Sequence, residues 1–319
     1  MIENYNKLNN SFKKTLVFNI GREAGFFSEY NNMILAMLFC LVNRIKFILY
    51  SNDANFKHEK GWDDYFLPFC KSTTSPIHRY LNMRKHVNFS DIKNFKSLKW
   101  FIKTYFFFVI AKLSKPFVSF DYYTQDVWGK IRTLDENAKY DIPDLGINGN
   151  LQEACSILVK LTWNFNVHTK NSVNALIASI QIPECYLGLH IRRGDKSTEA
   201  DLLDTYKYVN KAKSLSNLRD VFVLTDDYQI IEDMQMEYKE FVFYTLCGKN
   251  EQGYFHENFI KQPKTIIRKS HEKLFASIEI LNMAQLFIGT FSSNPGMFLG
   301  MRMPKSKVTG IDFDNWHIW

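Results

Sequence analysis

Short apolar runs alternate with longer helix-patterned runs twice along this chain, and each apolar run closes on glycine or on polar residues. Thr15 to Ile20 reads as a first strand, ended by Gly21. Gly21-Arg-Glu-Ala-Gly25 is the turn, 27–42 is a long apolar helix, and 46–50 is a second strand closing at Ser51-Asn52-Asp53. Strand, glycine turn, helix and strand make a βαβ unit, whose crossover implies a parallel pair. A second block follows the same grammar. It has strands at 186–190, 220–224, 241–244, 286–288 and 307–311, separated by helices at 199–214, 228–238, 265–285 and 297–301. The expectation is an α/β protein of two successive doubly wound, Rossmann-like domains. A chain of 319 residues has room for two such cores. The boundary is expected near Gln181 to Glu184, giving domains 1–182 and 183–319. Helices at 152–161 and 169–180 lead up to it, and 140–150, with Pro143, Gly146 and Gly149, reads as a loop.

Composition narrows the class. Apolar residues make up 46% and charged residues 23%, as in a folded globular protein and not a disordered one. The formal charge of +7 fits an anionic ligand or a membrane surface. The basic residues are dispersed, so nucleic acid is not an expected partner. Five widely spaced cysteines, odd in number and without Cys-x-x-Cys, read as free thiols of a reducing compartment, with Cys40 and Cys185 inside apolar segments. Met1 to Lys14 is too polar for a signal peptide. The most hydrophobic run, 105–111, is far short of the ~20 residues of a membrane helix. A cytoplasmic location is therefore expected. Ser90 to Leu113 interleaves lysines with Phe and Trp, which suits peripheral membrane contact through lipid headgroups, contact with sugar rings, or a core helix with lysines at its margin.

The densest chemistry lies at 187–199, Leu-Gly-Leu-His-Ile-Arg-Arg-Gly-Asp-Lys-Ser-Thr-Glu. An apolar strand there delivers His190, Arg192, Arg193, Asp195, Lys196 and Glu199. Ligands of open α/β sheets bind outside the carboxyl ends of the strands. Guanidinium forks and a lysine suit a polyphosphate. The alternatives are a solvated loop of ion pairs and a chance Arg-Gly-Asp tripeptide. Two further strand ends carry matching groups. Thr225-Asp226-Asp227 offers carboxylates for a guanine edge or a ribose hydroxyl, or an N-cap. Gly289 to Asn294, with Thr290, Phe291, Ser292 and Ser293, offers hydroxyls and N–H groups before a helix amino terminus, an anion cradle or a capping loop. The three ends are expected to converge at one edge of the second sheet as a nucleotide-diphosphate site. No metal cluster is expected: the histidines form no His-x-x-x-His pair, and Asp312-Phe-Asp314 reads as a polar turn after the last strand.

On these residues the chain resembles the α1,6-fucosyltransferase group of inverting glycosyltransferases, which includes the core-fucosylating and nodulation-factor enzymes. His190-Ile-Arg-Arg-Gly-Asp-Lys196 is similar to that family's His-x-Arg-Arg-x-Asp-Lys motif. Val223-Leu-Thr-Asp-Asp227 resembles its Ala-Thr-Asp-Asp strand end, and Gly289-Thr-Phe-Ser-Ser293 its Cys-Thr-Phe-Ser-Ser segment. Gly21 and Gly25 match two of three glycines in its amino-terminal turn, and Gly61-Trp62 and Phe66-x-Pro68 have counterparts after the second strand. Residues 73–150 carry no resemblance. The chain departs from the family at Gly194, where threonine is frequent, at a loop from Lys196 to Glu199 that is one residue shorter, and at Ser277, where an aspartate would contact guanine.

The resemblance implies a GT-B fold of two facing Rossmann-like domains, the first on the acceptor side and the second binding the donor. It implies GDP-fucose as donor, a glycan hydroxyl as acceptor, and no metal or other cofactor. Arg192, Lys196 and Glu199 would be catalytic, with Glu199 as the base. His190, Arg193, Asp195, Asp226, Asp227, Thr290, Phe291, Ser292, Ser293, Gly21 and Gly25 would bind the donor. Two other readings fit the same residues: transfer of a different nucleotide-sugar, and a non-catalytic binder of nucleotide-sugar or glycan on the same fold.

Overall fold

The computed structural model describes residues 1–21, 24–83, 95–194 and 203–318, with the backbone alone at Phe95 and Lys96. The chain divides into two compact units, one built from 1–63 and 67–163, the other from 64–66 and 164–318.

The first unit contains α1 (Ile2–Ser11), β1 (Lys14–Asn19), α2 (Phe26–Val42), β2 (Ile45–Tyr50), α3 (Ile77–Leu81), α4 (Phe95–Ser114), β3 (Tyr122–Tyr123), α5 (Thr124–Ile131), β4 (Tyr140–Ile142), β5 (Ile147–Gly149) and α6 (Leu151–Thr162). Its parallel sheet has the order β2-β1-β3. Fifteen of the seventeen residues of α2 are buried, so this helix is enclosed on every side, and it packs against β1, β2, α5 and α6. Two segments differ from the sequence reading. The polar amino terminus is helical, held by Tyr5 and Asn9, both buried. The Asn9 amide donates to the Phe47 carbonyl at 2.9 Å and accepts from the Phe47 N–H at 2.7 Å, so it continues the ladder of the edge strand β2. Residues 140–150 form an antiparallel hairpin, not a loop. Pro143 and the left-handed Gly146 (φ 68°) make its turn between strands of only three residues each.

The second unit contains α7 (Val167–Ser179), β6 (Leu187–Ile191), α8 (Thr205–Leu215), β7 (Asp220–Thr225), α9 (Gln229–Glu237), β8 (Val242–Tyr244), α10 (His256–Phe259), α11 (Lys264–Met283), β9 (Leu286–Gly289), α12 (Asn294–Arg302) and β10 (Val308–Gly310). All five strands are parallel, in the order β10-β9-β6-β7-β8. The chain winds outward from β6 through β7 to β8, returns over α11, and winds the other way through β9 and β10. The direction of winding reverses between β6 and β9, where a doubly wound sheet opens a crevice at its carboxyl edge. Strand β6 is buried throughout, as expected of a central parallel strand covered on both faces.

The division between the units falls at Trp163 and Asn164, earlier than the expected 182/183, because α7 packs on α11. The five cysteines are free. Cys40, Cys155 and Cys247 are buried, but Cys185, expected inside an apolar segment, is exposed just before β6 begins. Among the described residues no helix is long and apolar enough to cross a membrane.

Candidate functional site

Parallel pairing sets the carboxyl ends of β6, β7 and β9 side by side, and the three predicted segments leave from those ends. Two side-chain contacts join them. Arg192 Nη1, after β6, donates to Asp226 Oδ2, after β7, at 2.7 Å. Ser293 Oγ, between β9 and α12, meets His190 Nδ1 at 3.3 Å. The second contact lies at the switch between β6 and β9. Convergence of the three strand ends at one sheet edge is thus a property of the fold.

The groups play parts that the sequence did not disclose. Asp226 is a junction: it accepts the Arg193 N–H at 2.8 Å on Oδ1, and the Tyr254 N–H at 2.8 Å on Oδ2 beside the Arg192 fork. A carboxylate has about four lone-pair sites, and three here are taken by the chain itself. Asp227, one residue before the N-cap Tyr228, accepts the Gln229 N–H, the first of α9, at 3.1 Å. The carboxylates expected to read a base or ribose thus accept from the chain's own donors.

The loop before α12 shows the same substitution. The N–H groups of Phe291 and Ser292, read as an anion cradle, donate at 2.8 Å each to the two oxygens of Asp312. The polar turn after the last strand thus supplies an internal anion to this pair. Ser293 caps α12, donating to the Thr290 carbonyl at 2.8 Å and accepting from Gly296 N–H at 3.4 Å. With its hydrogen given to Thr290, Ser293 Oγ meets His190 as an acceptor, which places the His190 proton on Nδ1. Burial, reinforced by the neighbouring Arg192 and opposed by Asp226, lowers the His190 pKa to about 4. His190 is therefore neutral near pH 7.

In the first unit, the Gly21–Gly25 turn repeats the theme. Gly21 adopts φ 85°, and a Cβ there would press on the Phe56 ring and Ala54. Its N–H and that of Ala24 donate at 2.9 Å each to Glu29, a fully buried carboxylate in the first turn of α2. Gly25 is the N-cap of α2. In each of the three turns, described backbone N–H groups donate to a carboxylate of the chain: Glu29, Asp226 or Asp312. Side-chain cations stand beside these turns at the second sheet's edge, at Arg192 and Arg193. Among the described residues Arg193 Nη1 donates to the Arg192 carbonyl, at 3.1 Å, and no carboxylate meets its guanidinium. The Arg192 guanidinium lies over the Tyr254 ring at 4.9 Å, which with Asp226 fixes its direction. Asp195, Lys196 and Glu199 lie outside the described residues.

Tyr254 was not among the expected residues. Its loop closes on the Arg192–Gly194 segment: Gly253 N–H donates to the Asp226 carbonyl at 2.7 Å, and Gly194 (φ 56°) and Gly253 (φ 93°) pass against each other where neither has room for a Cβ. This explains glycine at 194 by the approach of the Tyr254 backbone. The signal in the sequence was the pair Gly248 and Gly253 in a short polar stretch. Ser277 is buried on α11 and donates to its own helix at the Lys273 carbonyl, 3.0 Å away. Two concavities, of about 280 Å³ beside Ser51, Trp62 and Cys70 and about 290 Å³ beside Tyr228, Gln235 and Thr245, contain none of the expected site residues. Among the described residues no group of three or more His, Cys, Asp or Glu side chains is placed to hold a metal ion.

No protein-family model and no curated protein sequence matches the chain. Solved structures do. The α-1,6-fucosyltransferase NodZ soaked with GDP-fucose aligns at a TM-score of 0.52 and 12% identity, over 92% of this chain and 93% of that one. NodZ from Bradyrhizobium aligns at 0.52 and 11%, over 95% and 96%. At such identity the likeness establishes the fold, and it is the GT-B fold that the sequence motifs implied.

Proposed function

We propose that the chain transfers fucose from GDP-fucose to a hydroxyl of a glycan acceptor, with inversion and without a metal. One observation carries the reading: the two arginines of the His190–Lys196 motif leave the central strand at the switch point of a doubly wound sheet, with one of them aimed by Asp226 and the Tyr254 ring. The fold shared with a fucosyltransferase soaked with GDP-fucose supports the choice of donor. On this reading the second unit binds the donor and the first serves the acceptor.

In this mechanism the acceptor oxygen attacks the anomeric carbon from the face opposite GDP and its proton passes to Glu199. The bond between that carbon and the β-phosphate oxygen breaks with its electron pair on GDP. Charge grows on the diphosphate as the bond breaks, and Arg192, Arg193 and Lys196 stabilise that charge more in the transition state than in the ground state. They take the place a divalent cation would hold on the leaving group. His190, neutral and tied to Ser293, positions β6 against the α12 loop without adding charge.

The test is release of GDP from GDP-fucose, with and without acceptor, in the presence of EDTA. Turnover that survives chelation is expected. Loss with chelator and recovery with Mn²⁺ would overturn the metal-free mechanism. A thermal shift with GDP-fucose but no GDP release under any condition would leave a binding protein, and a larger shift with UDP than with GDP would change the donor.

A further inference from the structure

Helix α4 carries two apolar stripes, and the fold uses one. Phe107, Ile110, Ala111 and Ser114 recur at the spacing of one helical face. The first three pack with Leu81 and Tyr123, and the Ser114 hydroxyl meets the Tyr123 hydroxyl at 2.9 Å. Ile102, Tyr105, Phe106, Val109 and Leu113 recur at a second i, i+3, i+4, i+7, i+11 spacing, round the helix from the first. Four of these are solvent-exposed: Ile102 at 59%, Tyr105 at 48%, Phe106 at 58% and Leu113 at 67%. Phe117, just beyond the helix end, is 89% exposed. A folded protein shows single exposed apolar residues routinely, but a continuous stripe of them marks a contact surface.

The charge beside the stripe says what it contacts. At 100° per residue, Lys99 borders one edge of it, with Lys103 further round on the same side, and Lys112 borders the other edge; all three are exposed. Positions 92–120 hold six lysines and no acidic residue. A protein partner would have to bury lysines between apolar patches, at a desolvation cost. At a lipid surface the lysine stems lie along the apolar face while the ammonium groups reach phosphates. Tyr105, within the stripe, is a side-chain type that favours the headgroup level.

We propose that α4 with Phe117 is a membrane-surface anchor: it lies in the plane of an anionic bilayer with Ile102, Phe106 and Leu113 inserted and Lys99, Lys103 and Lys112 on lipid phosphates. It does not span, since no described helix is long and apolar enough to cross. The proposal is independent of the transferase reading.

The experiment is sedimentation of the full chain with vesicles of mixed phosphatidylglycerol and phosphatidylcholine, and with phosphatidylcholine alone. Binding is expected on the anionic vesicles, weaker at high salt, with each bordering lysine contributing about fivefold. The double variant Phe106→Asp, Leu113→Asp is expected to lose at least about tenfold in partitioning. These side chains are exposed, so circular dichroism and the melting temperature should be those of the parent. Lys99→Glu with Lys103→Glu should weaken anionic binding by at least about 25-fold and leave the apolar stripe intact, which keeps the test decisive if the first variant misfolds. Absence of binding by the parent chain, or equal binding by parent and variants, would overturn the proposal. So would a concentration-dependent dimer that the Asp variants dissolve, which would assign the stripe to a second copy.

Discussion

Replacing Asp226 by asparagine tests whether this carboxylate organises the site or touches the ligand. The structure gives it three donors: Arg192 Nη1 at 2.7 Å, Arg193 N–H at 2.8 Å and Tyr254 N–H at 2.8 Å. Asparagine has nearly the same shape but one acceptor oxygen. Whichever way the amide turns, its NH₂ faces at least one N–H, and the charge opposite Arg192 is gone. Each hydrogen bond to a charged group is worth about 1.5–3 kcal/mol. The pair is partly solvated, with Arg192 24% and Asp226 14% exposed, which reduces the charge contribution. A local loss of about 2–4 kcal/mol is therefore expected, concentrated where the Tyr254 loop meets the Arg192–Gly194 segment. The assay is amide hydrogen exchange, since opening of one loop need not shift the global melt. The Arg193 and Tyr254 amides should exchange about thirty- to several-hundredfold faster in Asp226→Asn. Exchange within about threefold of the parent, together with lost GDP affinity, would refute the reasoning. Asp226 would then be a ligand contact, as its place at a strand end first suggested.

Three further outcomes follow from the same geometry. Gly194→Ala places a Cβ at φ 56° against the Tyr254 backbone, so chemical denaturation should show a loss of about 2 kcal/mol or more; a loss below about 0.5 kcal/mol would mean the two loops can part freely. Burial lowers His190 and His271 from near 6.5 to about 4, so the unfolded chain takes up these protons first as pH falls. Stability should therefore decline from pH 6.5 towards 4 by up to about 1.4 kcal/mol per pH unit for each histidine and level off below, and His271→Asn should remove one proton from that slope; a flat profile over this range would contradict the burial of neutral imidazoles. Glu199→Gln should lower turnover by about 10²–10⁴ with GDP affinity intact, and full activity would remove Glu199 from the mechanism.

The parallel layers were legible because strands covered on both faces leave continuous apolar runs, as in 187–191 and 220–225, and because α11 keeps Ile267, Leu274, Ile278 and Leu281 at helical spacing. Helix α1 was missed because its apolar face, Ile2, Tyr5 and Leu8, is thin and set among asparagines and lysines, and a buried asparagine, Asn9, supplies the rest of its anchor. The hairpin β4–β5 was missed because strands of three residues are too short to show a period. The site was legible as a set of strand ends but not in its wiring. Asp312 lies 21 residues beyond Phe291, and Asp226 lies 28 before Tyr254, so which carboxylate meets which N–H depends on where separate loops land. Motif reading identified the cations and the turns. It had no means of seeing that Glu29, Asp226 and Asp312 already occupy the turns' donors, which moves the burden of anion binding onto guanidinium groups.

That shift can be measured directly by calorimetric titration of GDP into the parent protein and into Arg193→Ala, both with EDTA present. Arg193 has no carboxylate partner among the described residues, so its removal leaves the Asp226 junction in place. The account predicts GDP binding without metal and a loss of about ten- to hundredfold in affinity for Arg193→Ala, the worth of one charge-assisted contact. GDP that fails to bind the parent protein, or binds both proteins equally, would contradict the claim that this sheet edge is a nucleotide-diphosphate site.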